Sequence, residues 1–285
     1  MIPTSFEYAR VTSVDDAIAK LGDAKGAGKL LAGGHSLVPL MKLRLSEPGT
    51  LVDIGRIPDL KGIRREGETI EIGAGTTHHE VASSALVREA CPMLAETAAS
   101  IGDPQVRNRG TLGGSLAHSD PAADYPAAIL ALDSEIHVRG PKGSRVVMAR
   151  DFFRGLFTVD LAADDIIVSV RFAPVKSAAY AKLHQRASHF AIVGVAAVLG
   201  VAGGTIQSAR VALTGASSHA KRLMAVEKKL EGAPATAASI EAAASVAANG
   251  LTDINADIHA SEEYRKAMVP VFARRALERA LERAV

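Results

Sequence analysis

Two stretches of the chain share one construction. LAGGHSLVPLMKLRL (31–45) and TLGGSLAHSDP (111–121) each place paired glycines after an apolar residue and leave through Ser-Leu. Paired glycines keep side chains away from the backbone, and their peptide N–H groups can converge on an anion through φ values that only glycine adopts cheaply. Each charge-assisted N–H bond to an anion contributes roughly 1.5–3 kcal/mol net. One such stretch alone is more often a tight turn than a ligand site. A pair matches a diphosphate, with its two phosphoryl groups, and Ser36, Thr111 and Ser115 add hydroxyls to the same anion.

The common nucleotide templates do not account for these glycines. GDAKGAGKLLAGG has Asp23 where a Walker loop needs its leading glycine, and Leu30 where it needs Ser or Thr after the lysine. No G-x-G-x-x-G opens a helix, so a Rossmann site is not indicated.

Local signals along the chain describe mixed α and β structure. Ser13-x-x-Asp16 caps a short helix that Gly22 stops, and KLLAG then forms a brief strand, so the first glycine pair follows a strand. TLVDIG from Thr50 reads as a strand, and GIRREGETIEIGAG as a hairpin turned at Glu66-Gly67. HEVASSALVREA and MLAETAASIG are helical by period and lead to the second glycine pair. SEIHVRGPKGSRVVMA is a hairpin turned by Gly140-Pro141-Lys142-Gly143, and DDIIVSVRFAP a buried strand ended by Pro174. Three short β-branched runs between Tyr180 and Gly215 suggest an antiparallel meander. Residues 218–285 are helical, with Met268, Val271, Ala276 and Leu277 on one face and Pro270 kinking an early turn. Strands and helices without regular β-α-β alternation make this an α+β chain.

At 285 residues the chain is near the upper end for one core, so two or three packed units are expected, with a main boundary near Lys176 and a softer one near Arg56. The 33 basic and 31 acidic side chains nearly cancel, which gives nucleic acid little to bind. Cys91, the one cysteine, can neither form an internal disulfide nor hold an iron–sulfur centre, and it fits a reducing cytoplasm as an inert buried thiol. The opening MIPTSFEYARVTSVDDA lacks the pattern of an export signal, and no apolar run approaches the ~20 residues of a membrane span.

Isolated polar residues carry less. Asp120 and Asp124 stand four apart on a turn, where an N-cap and a solvated neighbour are the ordinary outcome. His78, His79 and Glu80 invite a metal reading, but adjacent helical residues point apart and no second histidine completes the spacing, so no metal is expected. Arg107 and Arg109 suit loop anchoring or a partner surface.

AGGHSLVPLMKLRL, DPQVRNRGTLGGSLAHSDPAADYPA and YAKLHQRASHFAIVGVAAVL together resemble the FAD-binding medium subunit of molybdenum-containing hydroxylases. That family includes the medium subunits of aerobic carbon monoxide dehydrogenase and of nicotine and quinoline dehydrogenases, and the flavin domain of xanthine dehydrogenase. The resemblance spans essentially the whole chain. It implies a two-part FAD-binding domain of the vanillyl-alcohol-oxidase-like (PCMH) type over 1–175, with subdomains of about 1–56 and 57–175. A C-terminal domain over 176–285, an antiparallel sheet with helices, completes the chain.

By the same resemblance FAD is the cofactor, its diphosphate held between Ala32, Gly33, Gly34, His35, Ser36 and Leu37 on one side and Thr111, Gly113, Gly114 and Ser115 on the other. Asp124 corresponds to a position at a ribose or adenine edge, Lys182 to a lysine near the flavin, and Ile167 to a residue at the isoalloxazine edge. Phe190 stands where carbon monoxide dehydrogenases tend to have tyrosine over the ring. Those enzymes commonly carry a DPGND-like version of the second motif where this chain has DPAAD, which leaves the hydroxylated substrate open. The implied partners are a large molybdopterin subunit and a small subunit with [2Fe-2S] clusters, in a dimer of heterotrimers that passes electrons through FAD to an external acceptor. No catalytic side chain is implied in this subunit. A stand-alone FAD-dependent oxidoreductase of the same superfamily, and a scaffold that binds a nucleotide only to fold, are the rival readings.

Overall fold

β1 (Glu7–Arg10), β2 (Gly28–Leu31) and β3 (Thr50–Asp53) form a small parallel sheet in the order β1-β3-β2. Parallel strands need crossovers, and the helices Val14–Asp23 and Leu37–Lys42 supply them. Ser13 caps the first of these helices by accepting from the Asp16 N–H at 3.1 Å. The helix buries Val14, Ala17 and Leu21 against Val52, Ile54, Ile57 and Leu60. It runs one residue past Gly22, and Lys25 and Gly26 make the turn with positive φ values of 48° and 86°. The computed structural model describes residues 2–284.

The second sheet has five strands in the order β4-β5-β10-β6-β7. They are β4 (Ile63–Glu66), β5 (Thr69–Gly73), β6 (Glu135–Gly140), β7 (Gly143–Met148) and β10 (Ile166–Phe172), with a small side hairpin of β8 (Phe153–Gly155) and β9 (Thr158–Val159). Both hairpins close through two-residue turns, Glu66 facing Thr69 and Gly140 facing Gly143. β10 enters last and lies between them, antiparallel to β5 and β6, with a register slip between Ile167 and Ser169. The helices between β5 and β6 bury Met93, Leu94, Leu112, Leu116, Tyr125 and Ile129 against Ile70, Ile72, Ile136 and Val170.

Two helical expectations change here. HEVASSALVREA is two helices, His78–Ser83 and Ala85–Ala90, because Ser84 is extended (φ −63°, ψ 121°) and its hydroxyl accepts from the Val87 N–H at 3.3 Å to start the second. The second glycine pair is not a loop. Thr111 caps the helix Leu112–His118 by accepting from the Gly114 N–H at 3.1 Å, and Gly113 and Gly114 lie in its first turn.

The third sheet is an antiparallel meander of β11 (Ala178–His184), β12 (Ala191–Ala202), β13 (Thr205–Thr214) and β14 (Lys221–Arg222). The apolar run AIVGVAAVL does not alternate because β12 is buried on both faces. Val193, Val195, Ala197 and Leu199 face the C-terminal helices. Ala196 and Val198 face the core of the second sheet.

The last helix, Glu262–Glu282, continues through Pro270 and buries Val269, Phe272, Ala273, Ala276, Leu277 and Ala280. Met268 and Val271 lie at the edge of that face, since small alanines rather than the largest apolar residues mark the contact stripe. Arg279 and Arg283 both pair with Glu96 of the helix Pro92–Ala99, and they also donate to the carbonyls of Tyr180 and Ala178 at 2.9 and 2.6 Å. This ties the C-terminal helix to the second sheet's helical layer. Among the described residues no helix is long and apolar enough to cross a membrane.

Candidate functional site

A cleft of about 690 Å³ opens where the chain leaves β2, bounded by the first glycine loop, the helix Leu112–His118, the bulged end of β10 and the turn between β11 and β12. Ligand clefts in this size range take cofactor-sized molecules.

The first loop is shaped by two constraints on its glycines. Gly34 has φ +74°, which favours glycine. Gly33 packs on the second motif: a Cβ there would overlap the Arg109 carbonyl and come within 2.8 Å of the Gly110 Cα. His35 fixes the loop from inside through Nδ1 and the Gly33 carbonyl, 2.9 Å apart. Among the described residues, the peptide N–H groups of Gly33, Gly34, His35 and Ser36 find no acceptor within the protein. They are therefore free to bind an anion.

The second motif contributes differently. The Gly113 N–H donates to the Ala74 carbonyl at 2.8 Å, Leu112 to Thr76 at 3.0 Å, and Ser115 to Thr111 at 3.0 Å. With Gly114 satisfied by Thr111, this motif has no peptide donors left over from residue 112 to 115. Gly113 is glycine because a Cβ would sit 2.5 Å from Ala74 Cβ and 2.9 Å from its carbonyl oxygen. Ala74 in turn donates to Val168 at 3.0 Å, at the β10 bulge. A bulge beside a site bends its strand and re-aims the neighbouring side chains, and here it seats the helix that closes the cleft. The motif offers a ligand the Ser115 and Thr111 hydroxyls and the bare flank of Gly114, all of which line the cleft.

The cleft is electropositive. Lys29, Lys61 and Arg109 line it without an ion-pair partner among the described residues. Of the acidic lining residues, Asp165 is paired with Arg145 at 2.8 Å, while the Asp120 carboxylate accepts only the Ala122 N–H at 2.8 Å among the described residues, one unpaired negative charge against the three free cations. Asp124 is buried, with Tyr180 donating to one oxygen at 2.5 Å and Lys182 to the other at 2.8 Å. Burial pushes the Asp124 carboxyl up, and Lys182 pulls it back toward the charged form. Such a lining favours an anionic ligand.

Of the residues expected from the sequence, Ala32, Gly33, Gly34, His35, Ser36, Leu37, Thr111, Gly113, Gly114, Ser115, Asp124, Ile167 and Phe190 all line this one cleft. Phe190 stands at its rim, 46% exposed. Lys182 does not line it; its ammonium lies behind Asp124, also donating to the Ser100 carbonyl at 3.0 Å. Asp124 likewise spends its oxygens on Tyr180 and Lys182, because a buried carboxylate needs partners. Arg107 anchors its own loop through the Ile101 and Gly102 carbonyls, whereas Arg109 faces the cleft. The apolar wall of Ile101, Val106 and Leu161 carries no sequence signal that sets it apart from core. Cys91 is fully buried, and burial pushes its thiol up to about 12.

Residues 4–175 match the family model described as the FAD binding domain in molybdopterin dehydrogenase, and residues 178–280 that of the CO dehydrogenase flavoprotein C-terminal domain. This chain is an FAD-binding medium subunit of the molybdenum hydroxylase family. It is 41% identical to the carbon monoxide dehydrogenase medium chain of Hydrogenophaga pseudoflava, over 99% of each chain. It is 35% identical to the nicotine 6-hydroxylase medium subunit of Paenarthrobacter nicotinovorans, over 96% of each. The solved structure of the Hydrogenophaga pseudoflava carbon monoxide dehydrogenase matches the fold with a TM-score of 0.96 over all of both chains, at 41% identity. The chain is an oxidoreductase subunit, and its cofactor is FAD.

The residues present fit that cofactor. Among the described residues, four unpartnered peptide N–H groups and three unpaired cations line a cleft that Gly33, Gly34 and Gly114 also line, a donor set suited to a dinucleotide diphosphate.

Proposed function

We propose that this subunit passes electrons from [2Fe-2S] clusters of a small partner subunit, through FAD, to an external acceptor, within a complex whose large subunit carries molybdopterin. A flavin exchanges electrons singly or in pairs, so it can link one-electron clusters to a two-electron acceptor. The chain's own part is to hold, orient and shield the flavin. Ala32 to Leu37 clasp the diphosphate from one side, and Thr111, Gly113, Gly114 and Ser115 close it from the other. Ile167 and Phe190 bracket the ring, and Asp124, read from the sequence at a ribose or adenine edge, is instead held by Lys182, read near the flavin, so the pair forms one charged layer behind the cleft wall.

The observation that carries this reading is the contact of Gly33 with Arg109 and Gly110, which brings both glycine motifs to a single electropositive cleft. One cysteine cannot bind an iron–sulfur cluster, so these 285 residues do not themselves hold the electron donor. We assign residues 1–175 to the FAD-binding domain, with subdomains meeting near residue 56, and 176–285 to the C-terminal domain. The complex is a cytoplasmic dimer of heterotrimers.

Tagged chain isolated under native conditions tests the assignment. It should carry FAD, co-purify with a large and a small polypeptide, and bring iron and molybdenum with them. Isolation as a flavoprotein that oxidises an organic substrate without partners would overturn it.

A further inference from the structure

His78 opens the helix His78–Ser83 as a buried residue of the cleft wall, 5% exposed. Its ring packs on Tyr125 at 5.2 Å between centroids, and its peptide N–H donates to the Gly110 carbonyl at 2.9 Å. Neither ring nitrogen has a hydrogen-bond partner among the described residues. Nδ1 is sealed, as is the unpartnered Tyr125 hydroxyl; Nε2 is not among the sealed atoms. It lies beside Gly110, where a Cβ would stand 2.5 Å away.

Of the two ring nitrogens only Nε2 is left unsealed on a residue that lines the cleft, and no protein group among the described residues satisfies it, so it is the one available to a ligand. The position favours a ligand. Gly110 holds His78 on one side and meets Gly33 on the other, so the imidazole lies beneath the seam where the two glycine motifs join. Burial first, and then His35 and Arg107, keep the ring neutral, with a pKa of about 4. A neutral imidazole donates from one nitrogen and accepts at the other, which suits a hydroxyl or phosphate oxygen.

We propose that His78 Nε2 binds an oxygen of the ribityl–diphosphate segment of FAD, making His78 a cofactor-binding residue between the two glycine motifs. This rests on the FAD reading of the cleft. Glutamine places an amide nitrogen near the position of Nε2 and asparagine does not, so the two variants separate hydrogen bonding from packing.

The full chain, stripped of flavin and titrated with FAD by fluorescence quenching, tests it for wild type, His78→Ala, His78→Asn and His78→Gln, with the melting temperature of each flavin-free form measured alongside. The alanine and asparagine variants should bind FAD roughly tenfold more weakly, and the glutamine variant within roughly threefold of wild type. The flavin-free asparagine and glutamine forms should melt close together, and the alanine form lower, having lost the packing of the ring on Tyr125. Wild-type affinity in His78→Ala, or equal losses in all three variants matched by equal losses of flavin-free stability, would overturn the assignment and leave the FAD reading standing. Failure of the wild type to take up FAD would remove both.

Discussion

Gly33 rests on the Arg109 carbonyl, so the loop after the first sheet and the turn before the helix Leu112–His118 form one surface. Nothing larger than a hydrogen fits between them. Gly33→Ala should therefore spread the two motifs, weaken FAD by at least tenfold, and cost about 1–3 kcal/mol of stability from overpacking against backbone. Flavin titration and thermal melts of the purified variant read both. Unchanged FAD affinity would show that the seam does not shape the site.

The two glycines of the second motif should behave differently although they are adjacent. Gly113→Ala drives a methyl into Ala74 and should destabilise the chain by about 1–3 kcal/mol. Gly114→Ala meets only the Thr111 hydroxyl, at 2.8 Å. Disturbing that cap costs about 1 kcal/mol, and replacing a helical glycine by alanine returns about as much, so its stability should be near wild type. Its FAD affinity should still fall, because the new methyl stands on the cleft wall. Comparing melts and titrations of the pair distinguishes a packing glycine from a lining one.

Much of the fold was legible because it is local. Ser13 with Asp16 announces its helix, and Gly140 to Gly143 their hairpin, through chemistry confined to a few residues. The paired glycines mark the cleft, but their spacing does not say that one pair bends a loop while the other begins a helix. Thr111 becomes a cap only because Thr76 and Ala74 take the peptide donors of Leu112 and Gly113. The Asp124–Lys182 pair joins residues 58 apart and belongs to tertiary structure alone. The meander was legible from its β-branched runs, but the face that each residue of β12 takes was not, since a strand covered on both faces loses its alternation.

That ion pair gives a stability test. Lys182 is 7% and Asp124 4% exposed at the side chain, so removing one partner strands a buried charge, at a cost of about 3–5 kcal/mol. Lys182→Met should show that loss in chemical denaturation. Adding Asp124→Asn removes the stranded charge while leaving a group that Tyr180 can still bond, so the double variant should recover most of it. A double variant less stable than Lys182→Met would mean that the pair does not act as a unit.

His78 predicts a pH dependence whose sign is set by its low pKa. In the unfolded chain its imidazole takes a proton near pH 6.5, while in the folded chain burial, with His35 and Arg107, keeps it neutral to about pH 4. Between those values the unfolded state binds more protons, so the stability present above pH 6.5 is lost progressively as pH falls toward 4. The gap of about 2.5 pH units corresponds to a loss on the order of 3 kcal/mol. His78→Gln has no such proton to bind. Asp253, which burial alone would raise, is held well below the usual carboxylate range by Lys221, Ser218 and Ser217, and titrates below this window in both proteins. The difference between the two denaturation curves across pH 7 to 4 therefore isolates His78, and the wild type should lose the larger share. Parallel curves would mean that the ring is protonated in the folded chain, paired with an acceptor inside the protein.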